Sequence, residues 1–168
     1  MDRVTVLWIA GPRAVGKSTV GWEVFSRLSA TTKTGYLDLA QLTFATPPLD
    51  LAGKARRLGA VRRVHRAEGA RHLVVTGEHH ADLLPEAELC WLHAGHDELV
   101  ARLLLRGRGG GPPIPGDELR GLPEDDLRRL AAPTPAPPAA AVVVDTDGRE
   151  VDAVVTEVLD RFFPDLSA

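Results

Sequence analysis

Gly11, Gly16, Lys17 and Ser18 stand at the spacing of a loop that wraps phosphate, within the run Gly11-Pro12-Arg13-Ala14-Val15-Gly16-Lys17-Ser18-Thr19. The pattern is Gly, four residues, Gly, Lys, Ser/Thr. A glycine-bearing turn can aim successive backbone N–H groups at one point, and the helix that follows adds its free N-terminal N–H groups and its positive dipole end. Lys17 supplies a charge for the β- and γ-phosphates of a nucleoside triphosphate, and the Ser18 hydroxyl supplies a ligand for Mg²⁺. Gly11, Arg13, Ala14, Val15, Gly16, Lys17, Ser18 and Thr19 are therefore the expected nucleotide contacts.

Such a loop must be held between a buried strand and a helix. The apolar run Val4–Ala10 precedes it, and Val20, Val24 and Leu28 stripe the segment after it, with Phe25 beside them. Gly21 lets that helix approach a sheet closely. Four further strands are expected, at residues 35–39, 71–77, 89–93 and 141–145. Helices are expected from Leu51 to Gly69, from a cap at Asp97 to Leu105, from Asp117 to Ala131, and along Val151, Val154, Val155, Val158 and Leu159. Residues 106–113, rich in Gly and Pro, exclude regular structure, and residues 133–138 form a stiff proline connector. Alternating strands and helices predict a parallel sheet covered on both faces, in one α/β domain over residues 1–168.

Asp38 ends the second strand, on the rim where open parallel sheets bind ligands. It is either a functional carboxylate or a turn aspartate bonding its own backbone. Glu78 lies at the rim after the third strand and is either the acid that holds a Mg²⁺-bound water or a surface glutamate. His79 and His80 lack the further ligand spacing of a metal site. On the helix from Leu51, Arg56, Arg62, Arg63 and Arg66 share one face, with Leu58, Val61, Val64 and Ala67 opposite. That charged face is either simply solvated or turned to an anionic acceptor. No aromatic residue is interleaved with it, so nucleic-acid binding is not expected. Trp8 and Trp91 are expected in the core.

The chain has 168 residues, 44% hydrophobic and 26% charged, with net charge −3, a balance that draws it to neither nucleic acid nor anionic membrane. Its single cysteine, Cys90, excludes an internal disulfide and fits a reducing compartment. No apolar run is long enough to span a bilayer, and the first residues lack a signal-peptide layout. A cytoplasmic monomer or homodimer is expected. The size leaves no room for helicase or transporter modules, and the Asn-Lys-x-Asp segment of GTPases is missing.

The phosphate loop and its setting resemble the small P-loop kinases of the nucleoside-monophosphate, shikimate, gluconate and adenylylsulfate type. Gly35-Tyr36-Leu37-Asp38-Leu39-Ala40-Gln41-Leu42 and Val144-Asp145-Thr146-Asp147-Gly148 narrow the resemblance to actinobacterial P-loop ATPases or kinases. The resemblance implies a P-loop NTPase three-layer α/β/α sandwich, its five parallel strands ordered 2-3-1-4-5, with a small lid near residues 102–131. It implies an ATP- and Mg²⁺-dependent kinase acting on a small hydroxyl-bearing or phosphorylated metabolite. Asp38 would position the acceptor or bind the metal's water shell, and Thr146 would lie beside adenine. Arg102, Arg106 and Arg108 would close over the triphosphate on glycine hinges; a merely basic flexible loop is the alternative. Ala40 stands where the resembling pattern has a second aspartate, expected on the same strand face as Asp38. An ATP-binding regulatory protein with weak or no kinase activity is therefore the alternative function.

Overall fold

A computed structural model describes residues 4–111, 113, 117–132 and 134–166 of the chain. Five parallel strands form one sheet: β1 (Thr5–Ala10), β2 (Thr34–Asp38), β3 (His72–Thr76), β4 (Glu88–His93) and β5 (Val142–Asp145), in the order β2-β3-β1-β4-β5. The register pairs Leu7 with Val74 across β1 and β3, and Ile9 with Cys90 across β1 and β4. β1 is thus the central strand, which suits its nearly continuous apolar sequence.

Helices α1 (Lys17–Ser29), α2 (Leu39–Leu42), α3 (Leu51–Ala67), α4 (His96–Gly107), α5 (Glu124–Leu130) and α6 (Val151–Phe162) connect and cover the strands. Successive strand residues serve opposite faces. Leu7, Ile9, Val74, Cys90 and Leu92 join a large cluster with Val20 and Val24 of α1, Leu99 and Leu103 of α4, Leu127 of α5, and Val154, Val155 and Val158 of α6. Val6, Trp8, Ala10, Leu73, Val75, Leu89 and Trp91 join a second cluster with Leu58 of α3 and with Leu83 and Leu84 from the β3–β4 connection. Both strand tryptophans and Cys90 are core residues, as expected. Burial pushes the Cys90 thiol up to about 12, so it stays a neutral apolar group.

Gly21 is required at the α1–sheet contact: a Cβ there would lie 2.2 Å from Thr76 Cγ2. Asp50 caps α3 by accepting from the N–H of Gly53 at 2.7 Å.

Several local expectations are corrected. β2 stops at Asp38 rather than Leu39, because Asp38 turns the chain into α2. Asp97 does not cap α4; Gly95 takes the cap position, and its N–H is held by the Asp147 carboxylate at 2.8 Å. Asp97 and Glu98 lie in the first turn, where acids favour the helix dipole. The helix expected over residues 117–131 shrinks to α5, since the chain first makes turns at residues 118–121. On α3, Val64 and Ala67 are exposed, and burial is confined to Gly53 and Leu58. Val151 also falls outside the buried stripe of α6. Pro112 and Pro133, in the two proline-bearing segments, lie outside the described residues.

Candidate active site

The carboxyl ends of β1, β2 and β3 open into one cleft of about 530 Å³, the rim where an open α/β sheet presents its loops. The residues between β1 and α1 supply its floor. Gly11 (φ +145°) and Gly16 (φ +102°) adopt backbone that L side chains rarely take, and a Cβ on Gly11 would meet the Leu92 carbonyl oxygen at 2.5 Å. Ala14 also has positive φ, at +63°. These angles curl the loop over the start of α1, with Val15 buried beneath it as an anchor.

Lys17 folds back over this loop. Its Nζ donates to the carbonyls of Gly11 at 3.0 Å and Pro12 at 2.8 Å. Burial lowers its pKa to about 8, assisted by the positive charges of Arg13 and Arg106, while Glu78 and Asp38 oppose the shift. Thr19 lines the cleft beside it.

Ser18 Oγ donates to Asp38 Oδ2 at 3.2 Å. The other carboxylate oxygen, Oδ1, accepts from the N–H groups of Ala40 (3.0 Å) and Gln41 (3.3 Å), capping α2. Asp38 therefore bonds its own backbone through one oxygen and meets the phosphate-loop serine through the other. Because α2 begins at Leu39, Ala40 is the second residue of a helical turn and shares no strand face with Asp38. Tyr36 stands next on β2, its hydroxyl 3.3 Å from Thr76 Oγ1; burial raises its pKa and keeps it neutral.

Glu78 lines the cleft after β3, with His80 Nε2 3.9 Å from its carboxylate. His79 instead stacks edge-on against Trp8, at 5.0 Å between ring centroids. Among the described residues no group of three or more His, Cys, Asp or Glu side chains is placed to hold a metal ion.

The arginines after β4 separate into three roles. Arg102 lines the cleft, but its guanidinium is a strut. It donates to the Val15 carbonyl (3.1 Å), to Oγ1 and the carbonyl of Thr146 (3.2 and 3.3 Å), and to Glu98 (2.9 Å). Thr146 is buried, donates its hydroxyl to the His93 carbonyl at 2.9 Å, and does not line the cleft. Arg106 also lines the cleft and pairs with Asp117 at 2.9 Å, both side chains being largely buried. Arg108 turns outward to an exposed pair with Glu124 at 2.6 Å and is not brought to the cleft.

Local spacing did not reveal the far wall. Gln41, Phe44, Leu105, Asp117, Glu118 and Leu119 all line the cleft. Glu118 reaches across it to Arg13, at 3.2 Å, so the segment after the glycine run is tied to the phosphate loop itself. Asp117 and Glu118 are a pair of acids just beyond a glycine- and proline-rich loop, and their partners lie 11 and 105 residues away. The basic face of α3 stays outside the cleft: Arg57 donates to the carbonyls of Leu42 and Phe44, and Arg62 pairs with Glu86.

No protein-family model matches the chain, and no curated protein matches it. Solved structures do. A shikimate kinase from Bacteroides thetaiotaomicron superposes with a TM-score of 0.54 at 14% identity, over 94% of this chain and 97% of its own. A shikimate kinase from Acinetobacter baumannii, solved with shikimate, gives 0.53 at 16% identity over 98% and 96%. A candidate kinase from Chloroflexus aurantiacus gives 0.51 at 19% identity over 92% and 96%. At these identities the likeness is one of fold: the chain has the five-stranded, 2-3-1-4-5 parallel α/β architecture of the P-loop kinases.

Proposed function

We propose that the protein is an ATP- and Mg²⁺-dependent phosphotransferase acting on a small hydroxyl-bearing or phosphorylated metabolite. The observation that carries this is the convergence of Lys17, Ser18, Asp38 and Arg106 on one cleft. The first two come from the phosphate loop, the third from β2 and the fourth from α4. Binding alone would need the loop; transfer to an acceptor also needs an acid and a second cation on the opposite side.

In this reading Gly11, Arg13, Ala14, Val15, Gly16 and Thr19 shape the triphosphate cradle, and Lys17 and Arg106 offset charge on the transferring phosphoryl group. Arg102 sets the cradle's distance from α4 and from Thr146 on the adenine side. Arg108 would reach the nucleotide only after leaving Glu124. The donor set fits Mg²⁺, which takes few protein ligands and keeps phosphate oxygens and water: Ser18 would hold it, with Asp38 and Glu78 through its water shell. The ion, when bound, draws charge from the β- and γ-phosphoryl oxygens. The acceptor hydroxyl oxygen forms a bond to the γ-phosphorus as the bridging P–O bond to the β-phosphate breaks. ADP leaves with that electron pair, and the hydroxyl proton passes to the Asp38 carboxylate. The actinobacterial likeness, carried by residues 35–42 and 144–148, and a cytoplasmic setting for a monomer or homodimer belong to the same proposal.

The test is ADP release from ATP·Mg²⁺ with pooled hydroxyl and phosphorylated acceptors. Acceptor-stimulated release that Asp38→Asn lowers by about 10²-fold supports the kinase. The second reading, an ATP-binding regulatory protein, is favoured by the engagement of Asp38 Oδ1 in capping α2. Tight ATP binding without acceptor-stimulated release, unaltered by Asp38→Asn, would establish it.

A further inference from the structure

The cleft's cations are confined to one side, where Asp117 and Glu118 pair with Arg106 and Arg13. All four of its cationic side chains, Arg13, Lys17, Arg102 and Arg106, belong to the phosphate loop, α1 or α4. The wall built by the chain leaving β2 and β3 contributes Asp38, Ala40, Gln41, Phe44, Gly77 and Glu78 instead. That is two carboxylates, one amide and one aromatic ring, with Phe44 57% exposed. Among the described residues no cation lines this wall. Arg57, behind it on α3, commits Nη1 to the carbonyls of Leu42 and Phe44 at 3.2 and 3.0 Å. His80, whose imidazole lies 3.9 Å from the Glu78 carboxylate, does not line the cleft.

We infer that the acceptor carries no carboxylate or phosphate of its own: it is an uncharged or cationic hydroxyl compound, a polyol or amino alcohol in chemical class. This rests on the phosphotransferase reading and chooses between its two acceptor classes. The triphosphate takes up the cations of the loop and of α4, and a bound Mg²⁺ offsets charge on the phosphates, so a second anion has no side-chain counter-charge left on the acceptor wall. It would instead approach the carboxylates of that wall and the triphosphate itself, whose summed negative charge one Mg²⁺ offsets only in part, and like charges brought together in a partly desolvated cleft repel. A neutral acceptor fits each group there. One hydroxyl donates to Asp38, another bonds the Gln41 amide, and the carbon skeleton or a cationic ammonium lies against Phe44.

The experiment uses the full chain with ATP·Mg²⁺ and pairs of acceptors of like size that differ in charge: glucitol against gluconate, and 2-amino-1,3-propanediol against glycerate. The neutral or cationic member is expected to show kcat/KM at least about ten-fold higher, and Glu78→Lys is expected to move the ratio toward the anionic member. Equal or better turnover of the anionic members, lost in Arg57→Ala, overturns the inference and leaves the kinase standing. In parallel, the same pairs are titrated calorimetrically into protein loaded with Mg²⁺ and a non-hydrolysable ATP analogue. Selective binding of the neutral or cationic members without turnover keeps the charge preference and sinks the kinase. Preferential binding of the anionic members, or binding of neither member of any pair, overturns the inference.

Discussion

Lys17 sits in an environment far from that of an ammonium in water. Its ammonium is held among loop carbonyls beside Arg13 and Arg106, and its pKa falls to about 8. A bound triphosphate adds negative charge and raises that pKa again. Between the two values the free protein has lost the proton that the complex holds. ATP binding is therefore expected to take up a proton at pH 9 and to weaken as pH rises above about 8. Calorimetry in buffers of different ionisation enthalpy reads the uptake directly; proton release at pH 9 would contradict it. Lys17→Met is expected to cut turnover about 10²-fold or more, as loss of one donor to a transferring group does. Asp38 permits a cleaner separation. Asn retains an oxygen to cap α2, so Asp38→Asn is expected to keep the thermal midpoint while lowering acceptor turnover by about 10²-fold. Asp38→Ala should in addition cost about 1 kcal/mol of stability, measured by urea unfolding.

At the scale of elements, two contacts set the cleft's geometry. The first is the approach of α1 to the sheet through Gly21, whose missing Cβ leaves room for Thr76. Gly21→Ala must push α1 off β3, and with it the phosphate loop; a destabilisation of about 1–3 kcal/mol is expected by chemical denaturation. The second is the clasp by which Asp117 and Glu118 hold Arg106 and Arg13. Asp117 is the stronger half, because its carboxylate is mostly buried and also accepts from the N–H of Leu119 at 3.1 Å. Asp117→Asn leaves Arg106 without its counter-charge but keeps that acceptor. Tighter nucleotide binding is the expected result, since the triphosphate no longer displaces a competing carboxylate; weaker binding would show that the pair positions Arg106 for the nucleotide. The Glu118 pair with Arg13 is exposed, so Glu118→Gln should change little.

For the whole molecule, burial is uneven. β1 is nearly all core, and α1 buries Val20, Gly21, Val24 and Leu28. α3, of 17 residues, buries only Gly53 and Leu58. Hydrogen exchange is expected to open α3 at lower free energy than α1 or β1, with amides exchanging at least about ten-fold faster. Equal protection would mean that α3 is held by contacts beyond Leu58. Under the proposed function the same unevenness matters, because the wall proposed for the acceptor hangs in part from the less buried side, between β2 and α3.

The phosphate loop, the strand before it and the helix after it were legible from sequence because backbone need and side-chain chemistry coincide within nine consecutive residues. The five strands were legible because a doubly covered parallel sheet demands long apolar runs. Local pattern failed where an element's extent depends on what lies beneath it. The apolar face of α3 was visible, but which of its turns meets the sheet was not, so Val64 and Ala67 were misplaced. Ala40 was misplaced because a single capping carboxylate ended β2. Residue order alone therefore determined the glycine-bearing loop between β1 and α1, the α/β architecture and the presence of Asp38 at its rim. Only the tertiary structure decided that Arg102 braces while Arg106 faces the cleft and Arg108 leaves it, and that Asp117 and Glu118 close the far side. Those outcomes depend on partners up to 105 residues apart, and no local spacing encodes which distant charge a flexible arginine will meet.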